Sequence, residues 1–183
     1  MFELSKTVAT LSSVNPRTEL HGDDHVPAAD LFFEIDSSND LLSMFHPSLR
    51  SCLFSKDDVA GESDMFPDPN ALTVYRFPKL EKFKWDQEYK HCALTVHYGV
   101  SGVSDIHLTD VQIDRFVITP KQGGTVAIRF RAKAKPDEAS LGRLCSWIQS
   151  KTEITLVQPE PEPELDPKSV KQTPAQAAEA MFA

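Results

Sequence analysis

Glycine is scarce in this chain, with seven in 183 residues, and none of them sits in a phosphate loop or a dinucleotide fingerprint. Cysteine is scarcer: Cys52, Cys92 and Cys145 are odd in number and share no CxxC spacing. That pattern argues against a disulfide scaffold and a zinc ribbon, and points to reduced thiols in a cytosolic setting. No apolar run approaches the roughly 20 residues that a membrane-spanning helix needs. The opening Met1-Phe2-Glu3-Leu4-Ser5-Lys6 also lacks the apolar core of a signal peptide. Neither GxSxG nor HExxH occurs, and Cys92 lies beside His91 on what reads as a strand, where neighbours point to opposite faces. Cys52 and Cys145 sit in apolar helical contexts and read as core. The expectation is a cytoplasmic protein without a membrane segment, not an enzyme, with no catalytic residues, no metal site and no cofactor.

What is present divides the chain in two. Alternating proline and glutamate begins at Pro159, and such a run suits neither a helix interior nor a central strand. Residues 1–158 therefore read as one globular β-rich domain, and 159–183 as an acidic, flexible Pro/Glu-rich tail. The formal net charge is −8; the tail has five acids and two lysines, which leaves −5 on the body. A body of that charge does not coat itself on nucleic acid by bulk attraction, although a local basic face could still do so.

Within the body, residues 7–14 read as a first strand ended by Asn15-Pro16, 17–24 as a loop, and 26–35 as a second strand. Pro27 places the start of that second strand on a sheet edge or outside the ladder. Leu41, Leu42 and Phe45 fall at helical spacing after Asp36-Ser37-Ser38-Asn39-Asp40. From Ser55 to Glu88 periodicity fades, and Phe66, Phe77, Phe83 and Trp85 suggest an aromatic flap over the core. Alternation returns from Tyr89, changes parity near Thr109-Asp110 and so predicts a bulge there. Residues 115–118 and 125–131 flank Pro120-Lys121-Gln122-Gly123-Gly124, a hairpin. Pro136-Asp137-Glu138 opens a helix, and 153–157 form a last strand. The fold class expected is α+β and β-dominated: an antiparallel curled sheet or two-layer sandwich with two short helices.

Three clusters could carry function. His21-Gly22-Asp23-Asp24-His25 concentrates potential metal ligands; a zinc site wants a distant further ligand, which His91, His97 or His107 could supply, but nothing in the spacing requires it, so a solvated turn is the plainer reading. After the hairpin, Val126, Ile128 and Phe130 face one way while Arg129, Arg131, Lys133 and Lys135 face the other, a basic ridge at period two with Arg115 and Lys121 nearby. Phosphates or an acidic partner would fit that ridge; pairing with acids on adjacent strands would silence it. Phe83 and Trp85 of the flap could stack on bases.

Four segments, Ser13-Val14-Asn15-Pro16-Arg17, His21-Gly22-Asp23, Val26-Pro27-Ala28-Ala29-Asp30-Leu31 and the run from Ile118 to Val126, resemble uncharacterised phage and prophage early-region proteins. The resemblance spans much of the body, excludes the tail and carries no catalytic residues. It implies a context of phage DNA metabolism or counter-defence in the host cytoplasm. The expected function is an accessory protein acting through protein–protein interaction, with a phage or host protein as partner. The alternative is a single-stranded nucleic-acid-binding protein with an acidic regulatory tail. The edge beside Pro27 is one that a second copy could cap, making a homodimer.

Overall fold

A computed structural model describes residues 2–22, 24–56, 72–99, 102 and 104–159. The tail beyond Pro159 and the flap residues 57–71 lie outside the described residues, as do the side chains of His21, Asp23 and Asp24.

The strands are β1 (Leu4–His21), β2 (Asp24–Ser38), β3 (Phe54–Ser55), β4 (Val74–Tyr75), β5 (Phe83–Trp85), β6 (Tyr89–His97), β7 (Ile106–Lys121), β8 (Thr125–Ala134) and β9 (Lys151–Val157). A 3-10 helix (Asn39–Met44) and α1 (Leu49–Leu53) follow β2, and α2 (Glu138–Ser146) precedes β9. Six strands close into an antiparallel barrel in the order β1–β2–β8–β7–β6–β9 and back to β1. The expected open curled sheet or sandwich in an α+β frame is thereby corrected: every strand of the ring has a partner on both sides over part of its length. β3 and β4 make a separate two-stranded pair. β5 stands outside the ring and prolongs the line of β6 along β7, with Phe83 opposite Ile118, Trp85 opposite Phe116 and Tyr89 opposite Ile113.

Closure depends on interruptions inside the strands. Lys6, His91, Asp110 and Arg115 are non-glycine residues with φ between 43° and 57°. Each sits where the pairing register slips, between Leu4 and Thr7, Tyr89 and Cys92, Leu108 and Val111, and Asp114 and Val117. A bulge adds one residue to one strand, sharpens its twist and flips the parity of the residues beyond it. On β7 the inward set accordingly runs Ile106 and Leu108, then Val111 and Ile113, then Phe116 and Ile118. The first of these flips is the one predicted at Thr109-Asp110. The second, at Arg115, is not evident from the alternation of so short a stretch.

β1 departs from expectation as well. It does not stop at Asn15-Pro16 but pairs with β2 through to His21, making the expected loop a two-stranded ribbon. β9 accompanies β1 only as far as Thr10, and β8 accompanies β2 only from Ala29. Pro16 and Pro27 thus occupy strand segments with one partner, where a missing N–H costs little.

The barrel interior is filled. Phe2, Phe33, Phe116 and Phe130 are fully buried, and their rings meet at 5.1–6.0 Å in mostly edge-on or tilted contacts. Burying such a ring contributes about 1.5–3 kcal/mol. Phe45, after the 3-10 helix, adds its ring 5.2 Å from both Phe2 and Phe116. Asp137 caps α2, accepting from the Ser140 N–H at 2.9 Å, as the Pro-Asp-Glu opening predicts. That helix buries Leu144 and half-buries Leu141 and Cys145. Cys52 is exposed, which corrects its reading as core: α1 is too short to bury more than one face. Among the described residues no helix is long and apolar enough to cross a membrane.

The β7–β8 hairpin forms as expected, with Lys121 opposite Thr125 and both turn glycines at positive φ. Its tip is a docking point. Asn39 donates its backbone N–H to Gly124 O and its side-chain amide to Leu72 O, and Gly123 N–H reaches Thr73 O. A Cβ at Gly124 would lie 3.0 Å from Leu72 O, whereas one at Gly123 would meet nothing within 4 Å. Gly124→Ala should therefore lose about 1–3 kcal/mol from backbone strain and crowding combined, measured by urea unfolding. Gly123→Ala should lose less, because only its φ is unfavourable.

Candidate functional site

The basic ridge is real in direction and largely neutralised in charge. Arg129, Arg131 and Lys133 all project from the outer face of β8, as period two requires. Both neighbouring strands, however, present acids to them. In register, Glu34, Phe32 and Asp30 of β2 stand beside Arg129, Arg131 and Lys133, and Asp114 of β7 stands beside Arg131.

Arg131 carries most of this pairing. Its Nε and Nη2 donate to the two oxygens of Asp114 at 2.7 and 2.6 Å, and its Nη1 donates to Asp30 Oδ2 at 3.2 Å. Such a two-pronged contact is the geometry a planar guanidinium favours. The residue is only 7 % exposed, unusual for an arginine on the outer face of a barrel. Lys133 approaches Asp114 at 3.2 Å, Arg17 bridges Asp30 and Glu19, and Lys135 reaches Glu19 at 3.5 Å. Lys121, at the hairpin end, pairs with Asp36. Burial pushes the Asp114 carboxyl up, but hydrogen bonds from Arg131 and Lys133 outweigh it and hold the group below the ordinary range. Those same bonds hold Arg131 protonated still more firmly. The strip of free cations that the sequence suggests is thus an ion-pair network spanning β1, β2, β7 and β8.

Of the cations singled out in the sequence, two escape it. Among the described residues Arg115 and Arg129 form no ion pair. Arg129 lies over the ring of Phe32, 5.1 Å from its centroid. Arg115 is exposed at the bulge of β7. Both line one groove of about 750 Å³ on the outer face, floored by β7 and walled by Lys84 to Glu88 on one side and by Phe32 on the other. The groove lies where the line of strands beside β7 is interrupted, between the end of β5 at Trp85 and the start of β6 at Tyr89.

Of the residues singled out in the sequence, the structure brings together Arg115, Arg129 and Trp85. Trp85 is half-buried, with its ring edge-on to Phe45 at 6.1 Å and its Nε1–H donating to Gln87 Oε1 at 3.0 Å. Its ring faces the core beside Phe116 and Phe45, so it borders the groove and does not present its ring there for stacking. Phe83 packs against the core beside it. Lys133 and Lys135 line a different, charged basin of about 310 Å³ with Arg17, Lys90 and His91. Phe32 is the member that sequence reading missed, although its parity, opposite to Leu31 and Phe33, marks it as outward. Among the described residues no group of three or more His, Cys, Asp or Glu could hold a metal ion.

Removing Arg131 leaves Asp30 and Asp114 without their main partner. Arg131→Ala should lose about 3–5 kcal/mol at neutral pH by urea unfolding, and Arg131→Met less, since it keeps the packing. The depressed carboxyl of Asp114 contributes stability above its unfolded value, and this is lost as pH falls through the folded value. The gap between wild type and Arg131→Ala should therefore narrow below the ordinary aspartate value of 3.8. Comparisons with protein-family models, curated proteins and solved structures return no match, so the groove is interpreted from its own geometry.

Proposed function

We propose that this chain is a phage-type accessory protein that works through protein–protein contact, with the groove over β7 as its contact surface. The observation that carries this reading is that Arg115 and Arg129, with Lys84 on the wall of the same groove, stay outside the ion-pair network that neutralises Arg131, Lys133 and Lys135. Between them the groove offers apolar surface from Phe32 and Val117. Exposed guanidinium groups flanking aromatic surface are the composition that interface hot spots favour. A filled barrel interior also directs recognition to the outside. The partner segment that fits is extended and acidic, with an apolar residue between its carboxylates. Phage DNA metabolism or counter-defence in the host cytoplasm is the context that the resemblance supplies.

Single-stranded nucleic acid is the second reading, and the stacking of Arg129 on Phe32 favours it. The pairing of Arg131, Lys133, Lys135 and Lys121 with carboxylates weighs against it, because a phosphate track needs cations in series.

A photo-crosslinking residue placed at Val117 tests the proposal in infected or host cells. The expected result is a discrete protein adduct that disappears when Arg115 and Arg129 are both changed to Glu. An adduct unaffected by that double change removes the groove from the proposal. Oligothymidylate titrated at low and moderate salt decides the alternative: binding that is steep in salt and abolished by R115E/R129E would put nucleic acid in the partner's place.

A further inference from the structure

On the side of β6 away from β7, β6 and β9 run antiparallel with Thr95 opposite Thr155 and His97 opposite Glu153. His97 and Thr155 are therefore diagonal neighbours on the outer face. His97 Nε2 lies 2.8 Å from Thr155 Oγ1, and His97 Nδ1 lies 2.7 Å from Asp105 Oδ2, just before β7. The other oxygen of Asp105 accepts the Tyr98 N–H at 2.9 Å. The Asp105 side chain is 10 % exposed and that of His97 20 %.

The order of protons along this chain follows from the partners. Asp105 accepts hydrogen bonds from His97 and from the Tyr98 backbone, and these hold its carboxyl below the ordinary range, so it stays an acceptor. In the neutral ring that bond keeps the proton on Nδ1 and turns the Nε2 lone pair toward the Thr155 hydroxyl. The backbone N–H of Lys6 also reaches Thr155 Oγ1, at 3.2 Å, from the left-handed bulge in β1. A hydroxyl within reach of a base, with the base oriented by a carboxylate, is the arrangement that activates an oxygen nucleophile.

We propose that Thr155, His97 and Asp105 form a nucleophilic site that accepts acyl groups from small activated esters. Oγ1 attacks the acyl carbon as its proton passes to His97 Nε2. The bond from that carbon to the leaving oxygen breaks, and His97 returns the proton to the departing alcohol or phenol. A threonyl ester is left, and water deprotonated by His97 releases it as the acid while the proton goes back to Oγ1. The Lys6 N–H fixes the position of Oγ1 beside His97 Nε2. The strands form an open surface there, so the substrate class is small esters with good leaving groups. This site shares no residue with the groove, and R115E/R129E should leave it unchanged.

Full-length protein incubated with p-nitrophenyl acetate provides the test, with nitrophenolate release followed optically and the acetyl group located by peptide mass spectrometry. Acetyl should appear on Thr155, and His97→Gln should slow its appearance by about 10²-fold or more, the contribution of a positioned general base. Thr155→Ser should restore labelling that Thr155→Val removes, with circular dichroism confirming that each variant is folded. Acetylation confined to lysines, or Thr155 acetylation at the same rate in folded His97→Gln, would reduce the triad to a structural clasp and overturn the proposal.

Discussion

Closing a sheet of only six strands requires more local twist than regular strands supply, and the residues held at left-handed φ supply it. Lys6, His91, Asp110 and Arg115 each occupy a conformation that costs a non-glycine residue about 1–3 kcal/mol. The return is an interior in which four phenylalanines and the aliphatic rows of six strands interlock. Without the two bulges on β7, Val111 and Ile113 would turn to the face opposite Ile106, Leu108, Phe116 and Ile118. The two proposed surfaces also depend on them. Arg115 reaches the groove from one bulge, and Lys6 offers its N–H to Thr155 from another.

Charge is organised by the same architecture. Barrel closure places β8 between β2 and β7, and both of these carry aspartates on their outer faces. Arg131 in the middle is covered and doubly paired, so its role is to hold three strands together. Register also decides that two of the expected ridge cations stay available: Arg129 meets Glu34 across the ladder yet turns over Phe32, and Arg115 is displaced by its bulge. A protein of net charge −8 thereby keeps a small, localised pair of guanidinium groups beside aromatic surface. Such a pair suits selective contact better than bulk attraction does.

A packed interior separates this barrel from those that hold a ligand inside. The two proposed sites are both external and differ in kind. One is an uncovered stretch of β7 that two cations frame, and the other is a hydrogen-bonded row across β6 and β9. They draw on different strands, so their tests are independent.

Local features were legible in the amino-acid order wherever the physics is local. The β7–β8 hairpin follows from adjacent glycines between alternating segments, the α2 start from Pro136-Asp137, and the parity change at Asp110 from the spacing of Leu108 and Val111. The outward direction of Arg129 and Arg131 follows likewise from the two-residue repeat of a strand. What the tertiary structure alone decided depends on contacts between residues far apart in the chain. Closure needs β9 to lie between β1 and β6, and one of the two carboxylates that pair with Arg131 is Asp30, 101 residues away. His97 meets Thr155 across 58 residues. Alternation records which face a side chain takes, but not which strand will lie beside it, and the partner strand determines whether a cation is free or paired and whether a hydroxyl has a base.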